Sequence, residues 1–325
     1  MKPWGAVGIR VLTIAGLAVM LASQQTPPPK PQAKPPQGPS FVKTVNTVPL
    51  VFLALDKHHH FVPGLNQSQI QVYDNNQLQK ITKFDAEGNL PLRIALLLDI
   101  SNSISTRWEF EQRAATDFLQ SVLVEGRDQA MVVGFDTSTH LEQRFTDNYE
   151  LLARAINSMR PSGGTALFDA LYATARDDFG PSSAPGEVRN VIVIISDGAD
   201  DQSRYSRDEA LEAAEDAGAV IYTIGTEPTG LDPENDKVLQ LYAEQTGGRS
   251  YFPMEARDLG TAFQAILTDL RHQYVVTYNP DNIVGNGNGE FHAVEVKVLE
   301  KGVTARTRKG YYAKPAPAPV GTGSR

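Results

Sequence analysis

Three short stretches carry oxygen donors at spacings that could hold a metal ion. Asp99-Ile100-Ser101-Asn102-Ser103 puts a carboxylate and two hydroxyls at alternate positions, so in a locally extended turn their oxygens face one way. Ser162-Gly163-Gly164-Thr165, followed by Ala166-Leu167-Phe168-Asp169, is a glycine pair delivering a threonine hydroxyl at the start of a helix. Ile195-Ser196-Asp197-Gly198 puts a second carboxylate at the C-terminal end of an apolar run. Two carboxylates and three hydroxyls, all hard oxygens, suit Mg²⁺ or a similar hard divalent ion (Mn²⁺, Ca²⁺) held octahedrally. The metal set expected from spacing is therefore Asp99, Ser101, Ser103, Thr165 and Asp197. A purely local alternative exists for the same residues: Ser101 and Ser103 capping the following helix, Thr165 capping its own, and Asp197 shaping a turn. Asp-x-Ser-x-Ser is a weak signal alone. Its conjunction with Gly-Gly-Thr before a helix and Asp-Gly after a buried run is much stronger.

The elements that must position these residues alternate. From Leu90 to about Arg271, the runs IALLLDI, AMVVGF, VIVIIS and VIYTIG read as buried parallel strands. Between them WEFEQRAATDFLQSVL, TALFDALYATARDDF and RDEALEAAEDAG have apolar residues at helical spacing, with Trp108 and Phe110 expected on the buried face of the first. Strand and helix in alternation predict a doubly wound α/β domain, whose strand C-termini share the edge where ligands bind. The flanks, 43–89 and 272–313, return to period two with turn-rich joints and predict antiparallel strands. Neither flank is large enough to be confidently stable alone, so the two are expected to pair as halves of one β-sandwich, with the α/β domain inserted between them. The alternative is two separate appendages on the α/β domain.

Composition narrows the function. In 325 residues, 30 Lys and Arg against 38 Asp and Glu give a net charge of −8 with no basic run, which argues against a nucleic-acid partner. The lack of any Cys excludes disulfides, thiolate metal sites and a thiol nucleophile. Residues 1–23 read as a secretory signal or an uncleaved anchor: Lys2 and Arg10 precede or border the apolar stretch Val11 to Ala22. A Pro-rich tether occupies 24–42, and a tail without apolar periodicity occupies 314–325. An exported protein is expected, in the periplasm, on the cell surface or secreted, touching a membrane only through an uncleaved N-terminal segment.

Other chemistries fit poorly. An EF-hand loop starting at Asp99 would need Gly at its sixth position and Glu at its twelfth, where Ile104 and Phe110 stand. A phosphatase of the haloacid dehalogenase type would want an acid where Ser101 stands. No Gly-x-Ser-x-Gly elbow occurs, and the α/β block contains only His140 and His272 as imidazole bases. His58, His59 and His60 read as an exposed turn. Asp136, Asp200 and Asp201 either ring the crevice with negative charge or are solvated loop acids, and Asp169 suits the first turn of its helix.

The five oxygen-bearing residues resemble the metal-ion-dependent adhesion site of von Willebrand factor type A (VWA) domains, over about Leu90 to Arg271. The flanks, together with SGGTALFDAL, YVVTYNPDN and VTARTRKGYYA, resemble the acidobacterial-type VWFA-related family of exported bacterial proteins. The resemblance implies that Ser101, Ser103 and Thr165 touch the ion directly, while Asp99 and Asp197 act wholly or partly through water. It implies an ion with an open position that accepts an Asp or Glu of a protein partner. A non-enzymatic binding module is expected. The alternatives are an envelope assembly factor with a stabilising metal, or a metal-dependent hydrolase, which lacks a placed general base.

Overall fold

The computed structural model describes residues 47–86, 90–180, 188–226, 232–255, 258–280 and 291–312. The expected leader (1–23), tether (24–42), Gly/Asn-rich turn (282–290) and tail (314–325) lie outside the described residues. Among those residues the chain runs β1 (Val48–Leu55), β2 (Ile70–Asp74), β3 (Gln77–Gln79), β4 (Ile81–Ala86), β5 (Leu92–Asp99), α1 (Trp108–Val122), β6 (Gln129–Phe135) and β7 (Thr139–Thr146). It continues through α2 (Tyr149–Ser158), α3 (Leu167–Ala173), β8 (Arg189–Ser196), α4 (Arg207–Asp216), β9 (Val220–Gly225), α5 (Pro233–Thr246) and β10 (Ser250–Tyr251). Last come α6 (Leu259–Arg271), β11 (Tyr274–Tyr278), β12 (Phe291–Val298), β13 (Thr304–Thr307) and β14 (Gly310–Tyr312). None of these helices is long and apolar enough to cross a membrane.

The buried runs form one six-stranded sheet in the order β10-β9-β8-β5-β6-β7, parallel throughout except for β7, which is antiparallel to β6. Both faces of its centre are covered, so β5, β6, β8 and β9 are apolar at most positions, while the edge strand β7 is polar and partly exposed. On β5, Leu92, Ile94, Leu96 and Leu98 pack with α1, α2 and α6, while Ala95 and Leu97 pack with α3, α4 and α5. The α/β architecture read from the sequence is the one observed. Three helices, α2, α5 and α6, lie outside the helical patterns read from the sequence, and two of them announce themselves by their starts: Asn148 Oδ1 accepts the Leu151 N–H at 3.2 Å to cap α2, and Asp232 precedes Pro233 at the first turn of α5.

One expectation for α1 needs correcting. Trp108 is buried, but Phe110 is 56% exposed. Two residues apart on a helix of 3.6 residues per turn, the pair sit roughly 200° apart, so a single sheet cannot cover both. The buried stripe is Trp108, Glu111, Ala115, Phe118, Leu119 and Val122. An acid therefore occupies a core position.

Strands from the two flanks interleave. β1 lies between β11 and β13, with β4 on the far side of β11, and β12 lies between β2 and β14, with β3 beyond β2. Every pairing in these two four-stranded sheets is antiparallel, and Leu50, Phe52, Val72, Tyr274, Val276, Val294 and Val296 share one core between them. The link across the flanks includes a buried polar knot. Asp74 Oδ2 accepts from Tyr278 Oη (2.7 Å) and Tyr311 Oη (2.8 Å), and its Oδ1 lies 2.8 Å from His292 Nδ1.

Asp74→Ala strands those buried donors, so it is expected to cost about 3 kcal/mol in denaturant unfolding, against about 1 kcal/mol for Tyr278→Phe. Equal, negligible costs for both would show that the knot does not join the flanks.

Candidate metal centre

β5 and β8 are neighbouring parallel strands, paired from Leu92↔Arg189 to Leu98↔Ile195. From β5 the chain proceeds to β6 on one side, while β8 and β9 extend the sheet on the other. That reversal opens a crevice at the strand C-termini. Asp99 ends β5 there and Ser196 ends β8, so the first and third oxygen-bearing stretches meet because their strands are adjacent.

The meeting is hydrogen-bonded. Asp99 is fully buried; its Oδ1 accepts the Ser101 N–H at 2.9 Å and its Oδ2 accepts the Ser196 hydroxyl at 2.7 Å. Ser103 Oγ donates to Asp197 Oδ2 at 2.9 Å, and Ser101 Oγ lies 2.9 Å from Ser103 Oγ. Because the Ser103 proton is committed to Asp197, Ser101 is the donor of that pair. Asp197 Oδ1 accepts the Ala199 N–H at 3.0 Å, and Gly198, at φ +82°, turns so close to α5 that a Cβ would sit 2.6 Å from the Asn235 carbonyl.

The second stretch is laced to the first through the backbone. Ser162 N donates to Ile100 O at 2.7 Å, and Asn102 N to Gly163 O at 3.2 Å. Thr165 is buried; its N–H donates to Asp201 Oδ1 at 2.8 Å, and its carbonyl accepts from Asp201 N and Gln202 N at 3.0 Å each. The Thr165 side chain itself makes no hydrogen bond among the described residues. Capping, the local alternative for these residues, is not what they do. The N-cap of α3 is Ala166, and the Phe168 N–H is met instead by Asp200 Oδ2 at 2.9 Å. Neither Ser101 nor Arg107 makes a side-chain cap bond. Asp197 does shape a turn, in addition to meeting Ser103.

The flanking acids are fasteners for this loop set. Asp200 and Asp201 hold the approach to α3, and Asp169 accepts from Arg204 N (2.8 Å) and Tyr205 N (3.0 Å). Asp136 accepts from Ser162 Oγ at 2.9 Å and pairs with His140 Nε2 at 2.9 Å. His140 sits on the edge strand β7, and the same ring nitrogen also faces Ser138 Oγ at 3.3 Å, so it is not strung between an acid and a nucleophile as a relay requires. His58, His59 and His60 form an exposed turn, with Asp56 Oδ1 accepting the His58 and His60 N–H groups.

Electrostatics mark the centre. Burial pushes the Asp99 carboxyl up to about 6, against the hydrogen bonds from Ser101 and Ser196, with the charge of Asp197 adding to the rise. Glu111 is pushed to about 8, by burial first and then by Asp99, with Arg107 opposing and Asp197 adding. Among the described residues neither Glu111 oxygen has a hydrogen-bond partner. Periodicity, read with Trp108 and Phe110 on the buried face, passed over Glu111, and the signal that could have flagged it is an acid inside an otherwise apolar stripe. Among the described residues no three His, Cys, Asp or Glu side chains converge as a metal cage, so the centre depends on its hydroxyls. The donor set fits a hard divalent ion. All its atoms are oxygen, and the charge of Asp197 raises the buried Asp99 carboxyl, a repulsion a cation would relieve.

Residues 94–265, just over half of the chain, match the von Willebrand factor type A domain. The chain belongs to the VWA domain family. Human cochlin is 30% identical over 154 residues, covering 45% of this chain and 26% of cochlin, so the chain spans about a quarter of the length of the curated relatives it matches. Among solved structures, a conserved hypothetical protein, BatB of Bacteroides thetaiotaomicron, is similar at 20% identity and a TM-score of 0.44, over 55% of this chain and 97% of that one. Proximal thread matrix protein 1 of the mussel byssus is similar at 18% identity and a TM-score of 0.49, over 61% of this VWA protein and 51% of that chain.

Glu111 makes the stability of the metal-free fold pH-dependent. Below about 4.5 the acid is protonated in folded and unfolded chains alike; between about 4.5 and about 8 only the unfolded chain releases the proton, so the folded state loses stability as pH rises. In EDTA, the stability advantage of Glu111→Gln over wild type is expected to grow from near zero at acid pH to on the order of 4 kcal/mol above pH 8. Thermal or denaturant unfolding across that range checks it, and a gap independent of pH would contradict it.

Proposed function

We propose that this VWA protein is an exported, non-enzymatic binding module that takes a partner protein through a divalent ion, Mg²⁺ or its close analogues. Ser101, Ser103 and Thr165 would hold the ion directly, and Asp99 and Asp197 wholly or partly through water. The observation that carries the reading is the hydrogen-bonded run Ser101–Ser103–Asp197 at the rim of the crevice, with Asp99 buried behind it and both of its oxygens already engaged. Hydroxyls facing the ion while carboxylates are held back leave its charge under-neutralised. Such an ion supplies an electrophilic position for a carboxylate, and an Asp or Glu on a partner surface provides one in a charge-assisted contact.

Two features favour binding over catalysis and export over retention. His140, the imidazole on the edge strand, is engaged by Asp136 and Ser138 through one nitrogen and does not link an acid to a nucleophile in a relay. Residues 1–23 have the charge and apolar length of a secretory leader, and the Pro-rich stretch after them reads as a spacer. The match to the von Willebrand factor type A domain supports the reading that the chain binds a protein partner.

The test is capture from an envelope extract with the immobilised full chain in Mg²⁺, in EDTA, and as Asp99→Ala combined with Ser101→Ala. A partner retained only by wild type with Mg²⁺ is the expected result. The same proteins in all three lanes would contradict it. Thermal unfolding of the double variant separates a ligand-binding ion from a stabilising one: a folded variant fits binding, and a collapse of stability fits an ion that serves assembly of the fold.

A further inference from the structure

We propose that Glu111 is a further acid of this metal centre, a positioning residue that holds an ion-bound water from behind Asp99. The inference rests on the metal reading above and adds a residue outside the five-residue pattern. Glu111 lies on the sheet-facing stripe of α1 and is 1% exposed. Among the described residues both of its carboxylate oxygens lack a hydrogen-bond partner, and so does the indole Nε1 of Trp108, one turn earlier on the same face. Two buried acceptors and a buried donor, with no hydrogen-bond partner among the described residues, are the lining that an ordered water requires.

The location of the orphaned acid ties it to the ion rather than to a generic internal water. α1 follows directly on the turn that carries Ser101 and Ser103, and Glu111 feels the charges of both Asp99 and Asp197. These three acids do not converge closely enough to ligate one ion together, which leaves water as the link. An unpaired carboxylate in an apolar stripe destabilises the metal-free fold. A cation with its water shell in the crevice turns that cost into attraction, because the water donates to Glu111 while the added negative charge favours the ion. Acids one shell out from a metal typically change its affinity by about 10–100-fold.

Magnesium titration of the full chain, by calorimetry and by tryptophan fluorescence in a Trp4→Phe background, tests this with the ion alone. That substitution leaves Trp108 as the chain's single tryptophan, since it has two. Glu111→Gln is expected to weaken Mg²⁺ binding at least about tenfold and to blunt the Trp108 response. Glu111→Leu should do the same, while both variants melt higher than wild type in EDTA, which shows that they fold. Unchanged affinity in folded Glu111→Gln and Glu111→Leu would overturn the role of Glu111 and leave the five-residue site standing. No Mg²⁺ uptake by wild type would overturn both.

Discussion

Everything at the crevice depends on keeping one carboxylate dry. Asp99 terminates a strand that is covered on both faces, and a buried acid is tolerable only when its oxygens are engaged. The Ser101 N–H and the Ser196 hydroxyl do this, and in doing so they fix the first loop to the end of the neighbouring strand. From there the constraint spreads outward. Ser101 meets Ser103, Ser103 meets Asp197, and the glycine-rich second loop is pinned to the backbone of Ile100 and Asn102. The site is thus assembled by the sheet, with loops that have little freedom left.

The far end of the same strand is anchored just as firmly. Leu92 N donates to Asp128 Oδ1 at 3.0 Å, and Asp128 also pairs with Arg271, the last residue of α6. Arg189, which starts the neighbouring β8, donates to Gln273 Oε1 and to Leu270 O. The chain passes from α6 into β11 of the sandwich at this point, and further ties join Arg306 to Asp269 and Lys309 N to Gln245 O. The sandwich is therefore seated at the sheet's N-terminal edge, about 23 Å of strand away from Asp99. A crevice at one edge and a base at the other suits a module that presents its site away from its support.

Much of this was legible in the residues. Buried runs gave the parallel strands because a sheet covered on both faces needs apolar side chains at every position, and adjacency of β5 and β8 then brought Asp99 toward Asp197. Three helices were passed over: α5 carries a weak stripe and is better marked by Asp232-Pro233 at its start, while α2 and α6 carry clear apolar stripes that were not read, α2 also being marked by its Asn148 cap. Phe110 misled because hydrophobicity was read without phase, and Glu111 stayed hidden because an acid on a buried stripe breaks the pattern that identifies the stripe. The fastening roles of Asp200, Asp201 and Asp136 depend on loops folding back over one another, contacts between residues far apart in the chain that no local spacing encodes.

The most direct measurement is a crystal of the full chain grown with Mn²⁺ and examined by anomalous diffraction. A metal-gated centre predicts one strong peak in the crevice, with oxygens of Ser101, Ser103 and Thr165 about 2.1 Å away and Asp99 one shell further out. A crevice without a peak at saturating Mn²⁺, or a peak confined to the exposed His58–His60 turn, would contradict it.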